Sequence, residues 1–239
     1  MDQIAFFWVG QNIRIPTILV ESIKVAYKSD VKIFHLTNMS TPAVSGVTEV
    51  FRSNLSNEIM LARLEAYKNF PYYKDLTCFC DADSLIINEL NLNELTKDIY
   101  LIKRTKEFDG KLNANYLVGE YFTEFENKIA SEVMPYFFGN LLVRNNKDFF
   151  DKLYSICLNL PYRFHKWYGD QYSLKLAIEK TNEKFELLDN KKYLHIVNEI
   201  LSKDKIKNLI FNGTKLITFK GYQSKPFLIQ SFLNILENN

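Results

Sequence analysis

This 239-residue chain is poor in the features that most quickly assign a protein to a class. It has three cysteines, Cys78, Cys80 and Cys157, an odd number that cannot form a complete set of intrachain disulfides, which favours a reducing compartment. Cys78 and Cys80 have no second cysteine cluster to complete a zinc site and read as small core residues. Of three histidines, a lone one such as His195 is better explained as structural, because nothing near it in sequence completes a ligand set. Lys plus Arg minus Asp plus Glu is 30 − 28 = +2, so neither a strong field nor a motif points to nucleic acid. No apolar run approaches the ~20 residues of a membrane span. The first residues lack the basic segment and apolar h-region of a signal peptide, and the expected location is cytoplasmic. Gly10-Gln-Asn-Ile-Arg14 offers one glycine and one arginine where a sugar nucleotidyltransferase wants a glycine-rich, basic phosphate loop. There is no internal repeat, low-complexity tract or clear linker.

What is abundant is apolar and aromatic. An apolar share of 47% supports a full core for one large α/β domain, and 19 Phe with 14 Tyr leave tyrosines to line a surface or a sugar-sized cleft. Residues 4–10 form an apolar run closed by Gly10, the pattern of a buried parallel strand and its turn. A helix follows over 15–27, with Ile18, Leu19, Ser22, Ile23 and Ala26 on one stripe and Pro16 in its first turn. Strands are expected at 31–37 and 49–51. A helix runs from an Asn57 cap to about Asn69, with Ile59, Leu61, Leu64 and Tyr67 facing inward, and a strand follows at 76–80. Strand, helix, strand, helix, strand predicts a doubly wound, mostly parallel sheet whose ligands sit beyond the carboxyl ends of the strands. Later come a helical turn at 90–95, a strand at 99–103 and a loop at 106–116. A helix at 120–132, a strand at 136–143 and a helix at 147–158 lead to a basic, aromatic stretch at 162–168. Asp170 and Gln171 open a helix to 178, strands are expected at 185–188 and 193–197, and an amphipathic helix closes the chain at 226–236.

The most informative stretch is Asp81-Ala82-Asp83, set between the β-favouring runs 76–80 and 85–87. Alternation at a strand end would put both carboxylates on one side with Ala82 opposite. Converging carboxylates are costly unless a positive group lies between them, and Mg²⁺ or Mn²⁺ on a nucleotide diphosphate suits that demand. The same three residues would also serve as a plain polar turn.

Taken in order, the first strand and turn, Asp81-Ala-Asp83, Asp170-Gln171 and Gly221-x-x-x-Lys225-Pro226 resemble the GT-A glycosyltransferases, most closely the retaining family 8 type. The likeness runs across nearly the whole chain. It implies one GT-A domain over 1–239, a Rossmann-like, mostly parallel sheet flanked by helices. Residues 1–104 would form the nucleotide-sugar-binding half, and residues 105–239 the acceptor-binding half with the C-terminal helix.

By matching position, the resemblance implies that Phe7, Trp8, Val9 and Gly10 meet the base and ribose of a nucleotide-diphosphate sugar, with UDP-sugars favoured. Asp81 and Asp83, about Ala82, would hold Mn²⁺ or Mg²⁺ on its diphosphate. Arg63, Gly221 and Lys225 would line the donor site, although Arg63 also fits a solvated helix charge. Thr218 stands where the family has a histidine as third protein ligand. Asp170 and Gln171 would lie beside the anomeric carbon, although Asp170 also fits a helix N-cap. Asn140, Trp167 and Tyr168 are the candidates to meet a glycan or lipid-linked acceptor. Basic and aromatic residues at 162–168 and the C-terminal helix also raise the expectation of a peripheral contact with the inner face of a membrane, though their place beside Asp170 suits an acceptor cleft better. A catalytically silent carbohydrate- or nucleotide-binding module is the alternative outside the enzymes.

Overall fold

The computed structural model describes residues 1–71, 74–104, 120–144, 147–180, 184–219 and 224–236. The loop expected at 106–116 and Gly221 lie outside them.

The chain opens with β1 (Asp2–Phe7), which starts two residues before the apolar run because its polar residues are satisfied. Asp2 accepts from the Tyr27 hydroxyl at 2.7 Å and from the backbone N–H groups of Asn91 and Leu92. There follow α1 (Arg14–Ala26), β2 (Val31–Asn38), β3 (Glu49–Ser53), α2 (Ile59–Lys68), β4 (Thr77–Asp81), β5 (Ser84–Ile86) and β6 (Ile99–Leu101). Asn57 is not the cap of α2; Glu58 holds that position, without a side-chain hydrogen bond. Where one helix was expected over 120–132, a 3₁₀ turn at Thr123–Phe125 precedes a single turn, α3 (Ala130–Val133). Next come β7 (Asn140–Val143), α4 (Lys147–Leu158), α5 (Tyr162–Lys166), α6 (Gly169–Lys180), β8 (Glu186–Leu187), α7 (Asn190–Tyr193) and β9 (His195–Ile196). A helix that the sequence reading left out, α8 (Lys203–Phe211), is capped by Ser202, whose hydroxyl accepts from Lys205 N–H. The chain then forms β10 (Leu216–Thr218) and α9 (Lys225–Leu236).

Seven strands form one sheet in the order β3-β2-β1-β4-β7-β6-β8, and β7 alone runs against the others. The expected mixed, mostly parallel α/β sheet is therefore present, and β7 and β8 from the second half of the chain complete it. Under one face, Ile4, Phe6, Cys78, Cys80 and Ala82 pack with α1. Under the other, Ala5, Phe34 and Phe79 pack against α2, α4 and α6. Strand alternation explains the division, and it also explains why α2, lying between sheet and helices, is apolar on most of its faces.

Two details of this frame fix the site. Phe7 stands opposite Leu36 on one side and Asp81 on the other, so β1, β2 and β4 end level with one another. A separate small sheet, β5-β10-β9, sets Thr218 opposite Ser84, and Phe219 N–H donates to the Asp83 carbonyl at 3.1 Å. The run 85–87, expected to flank the acidic triplet, thus leaves the large sheet and carries the late part of the chain to Asp83.

Candidate active site

Asp81 ends β4, while Ala82 and Asp83 turn the chain into β5. Ala82 is buried beneath the sheet with Cys78 and Cys80, as alternation requires. Each carboxylate meets its own cation: Asp81 is ion-paired with Arg63, and Asp83 with Lys225 at the start of α9.

Arg63 is the hub. Its second guanidinium nitrogen reaches Asp170 at 3.0 Å, so one side chain from α2 joins the end of β4 to the first turn of α6. Its Nε donates to the Tyr67 hydroxyl at 3.3 Å, and the guanidinium lies 4.8 Å from the centroid of the Phe138 ring. Burial works against the charge, but Tyr67, Asp81 and Asp170 outweigh it and hold the Arg63 pKa well above its ordinary value. The reading of Arg63 as a solvated helix charge is excluded by this setting. Asp170 lies within the first turn of α6, with a buried carboxylate on Arg63, so its role exceeds that of an N-cap.

Two glycines make room for the cluster. A Cβ on Gly139 would fall onto Oδ2 of Asp81, so the missing side chain is the cradle of that carboxylate; Gly139 O also accepts from Asp81 N–H at 2.9 Å. This use of residues 138–139 as a turn explains why β7 starts at Asn140 and not at Tyr136. A Cβ on Gly169 would collide with the Phe164 carbonyl and come within 2.7 Å of Cys157 Sγ. Just before it, Tyr168 adopts φ = +64°, an uncommon conformation for a residue with a side chain. Phe122 and Phe125 hold its ring at 5.6 and 5.1 Å. Burial raises the Tyr168 pKa and the charge of Arg104 pulls it back.

Gln171 follows Asp170, and its carbonyl oxygen accepts from Arg104 at 2.5 Å. Arg104 was missed in the sequence; its one signal there is its position directly after an expected strand. Trp167, 39% exposed, and half-buried Tyr168 adjoin Gln171 along the chain. Asn140 does not join them. It is fully buried, accepts from Cys78 Sγ at 3.2 Å and donates to the Tyr193 carbonyl, so its amide ties β7 to β4 and α7. Two basic residues of α5 are ion-paired with nearby acids, Arg163 with Glu124 and Lys166 with Glu120. Among the described residues no helix is long and apolar enough to cross a membrane.

At the open ends of β1 and β2, Phe7, Trp8 and Val9 are half-buried and Gly10 is exposed, with φ = +127°. Gly10 N–H donates to Thr41 at 2.9 Å, and the Trp8 carbonyl accepts from Thr37 at 2.6 Å. Arg52, also missed in the sequence, donates to the Asn38 and Thr41 carbonyls and braces the facing loop. Below them His35 stacks on Phe6 at 4.9 Å. Burial lowers its pKa to about 4.

The donors available to a cation are oxygens, as Mg²⁺ and Mn²⁺ prefer. Asp81, Asp83 and Asp170 place three negative charges against the two positive ones of Arg63 and Lys225. The Thr218 hydroxyl is buried without a hydrogen-bond partner among the described residues, one strand away from Asp83. These groups fit a hard divalent ion. Among the described residues no cluster of three or more His, Cys, Asp or Glu side chains forms a ready metal site, and His195 is not brought to the Asp pair.

No family model and no curated protein sequence matches the chain. Solved structures do. An active-site mutant of LgtC aligns over 99% of this chain and 95% of its own, with a TM-score of 0.56 at 11% identity. The glycosyltransferase GlyE of Streptococcus pneumoniae TIGR4 aligns over all of this chain, which spans 63% of GlyE, at 0.55 and 14%. A glycosyltransferase involved in glycosylation of the major capsid of PBCV-1 covers 97% and 98% of the two chains, at 0.56 and 9%. Likeness at such low identity speaks to the fold, and the fold of this chain is that of the GT-A glycosyltransferases.

Proposed function

We propose that this chain moves a hexose from a nucleotide-diphosphate sugar, UDP-sugars first among them, to a hydroxyl of a glycan, lipid-linked glycan or protein. The transfer retains configuration and serves bacterial surface polysaccharide synthesis. One observation carries this reading: Asp81, Asp83 and Asp170 meet Arg63 and Lys225 where parallel strands end. A neighbour of the same fold, the galactosyltransferase LgtC, was crystallised with donor and acceptor sugar analogues.

Breaking the bond between sugar and phosphate puts negative charge on the leaving diphosphate. Mn²⁺ or Mg²⁺ held by Asp81 and Asp83 would supply Lewis-acid stabilisation of that charge. Lys225 adds a point charge, and the diphosphate competes with Asp83 for it. The turn Phe7–Gly10 and the loop braced by Arg52 flank the place for base and ribose. Arg63 fixes Asp81 relative to Asp170, while Trp167 and Tyr168 are the groups to receive the acceptor. Positioning and electrostatics then supply most of the rate.

The test is a thermal-shift screen of nucleotide diphosphates and nucleotide sugars, with Mn²⁺, Mg²⁺ or chelator. A ligand at a hundredfold excess over its Kd adds about 2.7 kcal/mol to the native state. A metal-dependent shift with one nucleotide, absent in Asp81→Asn/Asp83→Asn and accompanied by sugar transfer or slow hydrolysis, is expected. Binding without any turnover would favour the silent module, and no shift with any nucleotide would remove the donor site altogether.

A further inference from the structure

We infer that Arg104 is a positioning residue that decides which end of the Gln171 amide faces the donor sugar, an inference that rests on the function proposed above. A guanidinium has donors and no acceptor, so the atom it meets on Gln171 is the carbonyl oxygen. The amide orientation follows from that chemistry. Arg104 is itself held in several ways: Nε donates to the Met134 carbonyl at 2.7 Å, its backbone N–H donates to the Pro135 carbonyl at 2.8 Å, and the guanidinium sits 4.0 Å from the Phe137 ring centroid. From the other side, the Gln171 backbone N–H is fixed by Asp170 Oδ1 at 2.7 Å, and Asp170 by Arg63.

Two consequences follow. An oxygen already accepting from a guanidinium has one lone pair engaged and its electron density drawn toward the cation, which makes it a weaker partner for the electron-poor anomeric carbon. The same polarisation makes the amide N–H₂ a stronger donor. Gln171 therefore acts toward the sugar as a hydrogen-bond donor to a hydroxyl oxygen, and Arg104 sets discrimination among sugars that differ at that hydroxyl. No covalent bond to Gln171 is formed.

The experiment is a double-mutant cycle of Arg104→Met and Gln171→Met, read as kcat/KM for the accepted nucleotide sugar and for its epimers. It is joined to a spectrum of protein labelled with ¹⁵N in glutamine side chains, with Gln171→Met giving the assignment. Each single variant is expected to lose about tenfold to hundredfold in kcat/KM and most of the preference between epimers, and the double variant to lose no more than either. Guanidinium ion added to Arg104→Met should restore part of the loss, and the Gln171 amide resonance should move in that variant. Additive losses, unchanged epimer preference or an unmoved resonance would overturn the inference. Absence of any turnover by wild type would overturn the proposed function instead, and the resonance would still decide whether Arg104 holds Gln171.

Discussion

A guanidinium shared by two carboxylates, as Arg63 is by Asp81 and Asp170, makes each of the three dependent on the others. Arg63→Met keeps length and packing but strands two carboxylates, one of them almost wholly buried. The expected cost is about 3–5 kcal/mol in urea unfolding, and adding Asp170→Asn should return part of it by removing one stranded charge. A variant as stable as wild type would mean that water reaches the pair freely. His35 gives a second prediction at this scale. Its ring is buried, Nε2 lies 3.2 Å from the Trp8 carbonyl, and Nδ1 has no hydrogen-bond partner among the described residues. Burial first, then the nearby charge of Arg52, lowers the pKa to about 4, while the Trp8 carbonyl works the other way. Between pH 6.5 and about 4 the unfolded chain takes up the proton and the folded one does not, so the contribution of His35 is intact above pH 6.5. It is lost as pH falls, by about 3 kcal/mol at the lower end. Proton NMR should find His35 titrating near 4, and His35→Leu should flatten the stability profile across that window.

Elements carry these residues to one another, and glycines decide how closely they come. Gly169→Ala forces α6 away from the Phe164 carbonyl at the start of the segment bearing Asp170 and Gln171, an overpacking cost of about 1–3 kcal/mol readable as a lower unfolding midpoint. Gly139→Ala acts differently, because its Cβ meets a side chain and not the backbone. The fold should survive with a small loss of stability, while the metal-dependent nucleotide shift disappears with the displaced Asp81 carboxylate. A Gly139→Ala protein that still binds nucleotide with Mn²⁺ would show that Asp81 has another position available. Neither glycine announces its role in sequence, since both matter through what lies across the fold. Periodicity did reveal α1 and α9, whose apolar stripes face a core, while α6 was legible from Asp170-Gln171 at its start. It misjudged residues 120–132, where Phe122 and Phe125 join Phe164 and Tyr168 in a separate aromatic cluster that a 3₁₀ turn serves as well as a helix. It also passed over α8, which buries Ile206 and exposes most of its length.

At the scale of the whole molecule, the site is assembled from both ends of the chain, with the Phe7–Gly10 turn at one and Lys225 at the other. Motif order made Asp81, Asp83, Asp170 and Lys225 legible together. Their pairing was not, because Arg63 with Asp170 spans 107 positions and Lys225 with Asp83 spans 142. Only the small sheet, which turns β5 away from the main one and receives β10, brings that last pair together. Lys225 therefore stands at the head of a packed helix and, in the function proposed, also serves as a charge in the site. Leu228, Phe232 and Ile235 anchor α9 in its core, whereas Lys225 contributes one ion pair with partly exposed partners. A pair of that kind contributes about 1 kcal/mol or less. Lys225→Met should leave the unfolding midpoint within a few degrees of wild type while raising the Kd for nucleotide diphosphate about tenfold or more, measured by calorimetry with Mn²⁺ present. Removing residues 225–239 should do far more, because the burial contributed by the three anchors, roughly 1.5–3 kcal/mol each, is lost and the core they cover is opened. If Lys225→Met proved as unstable as the truncation, the lysine would be a structural latch for α9, and the diphosphate would have to find its positive partner elsewhere.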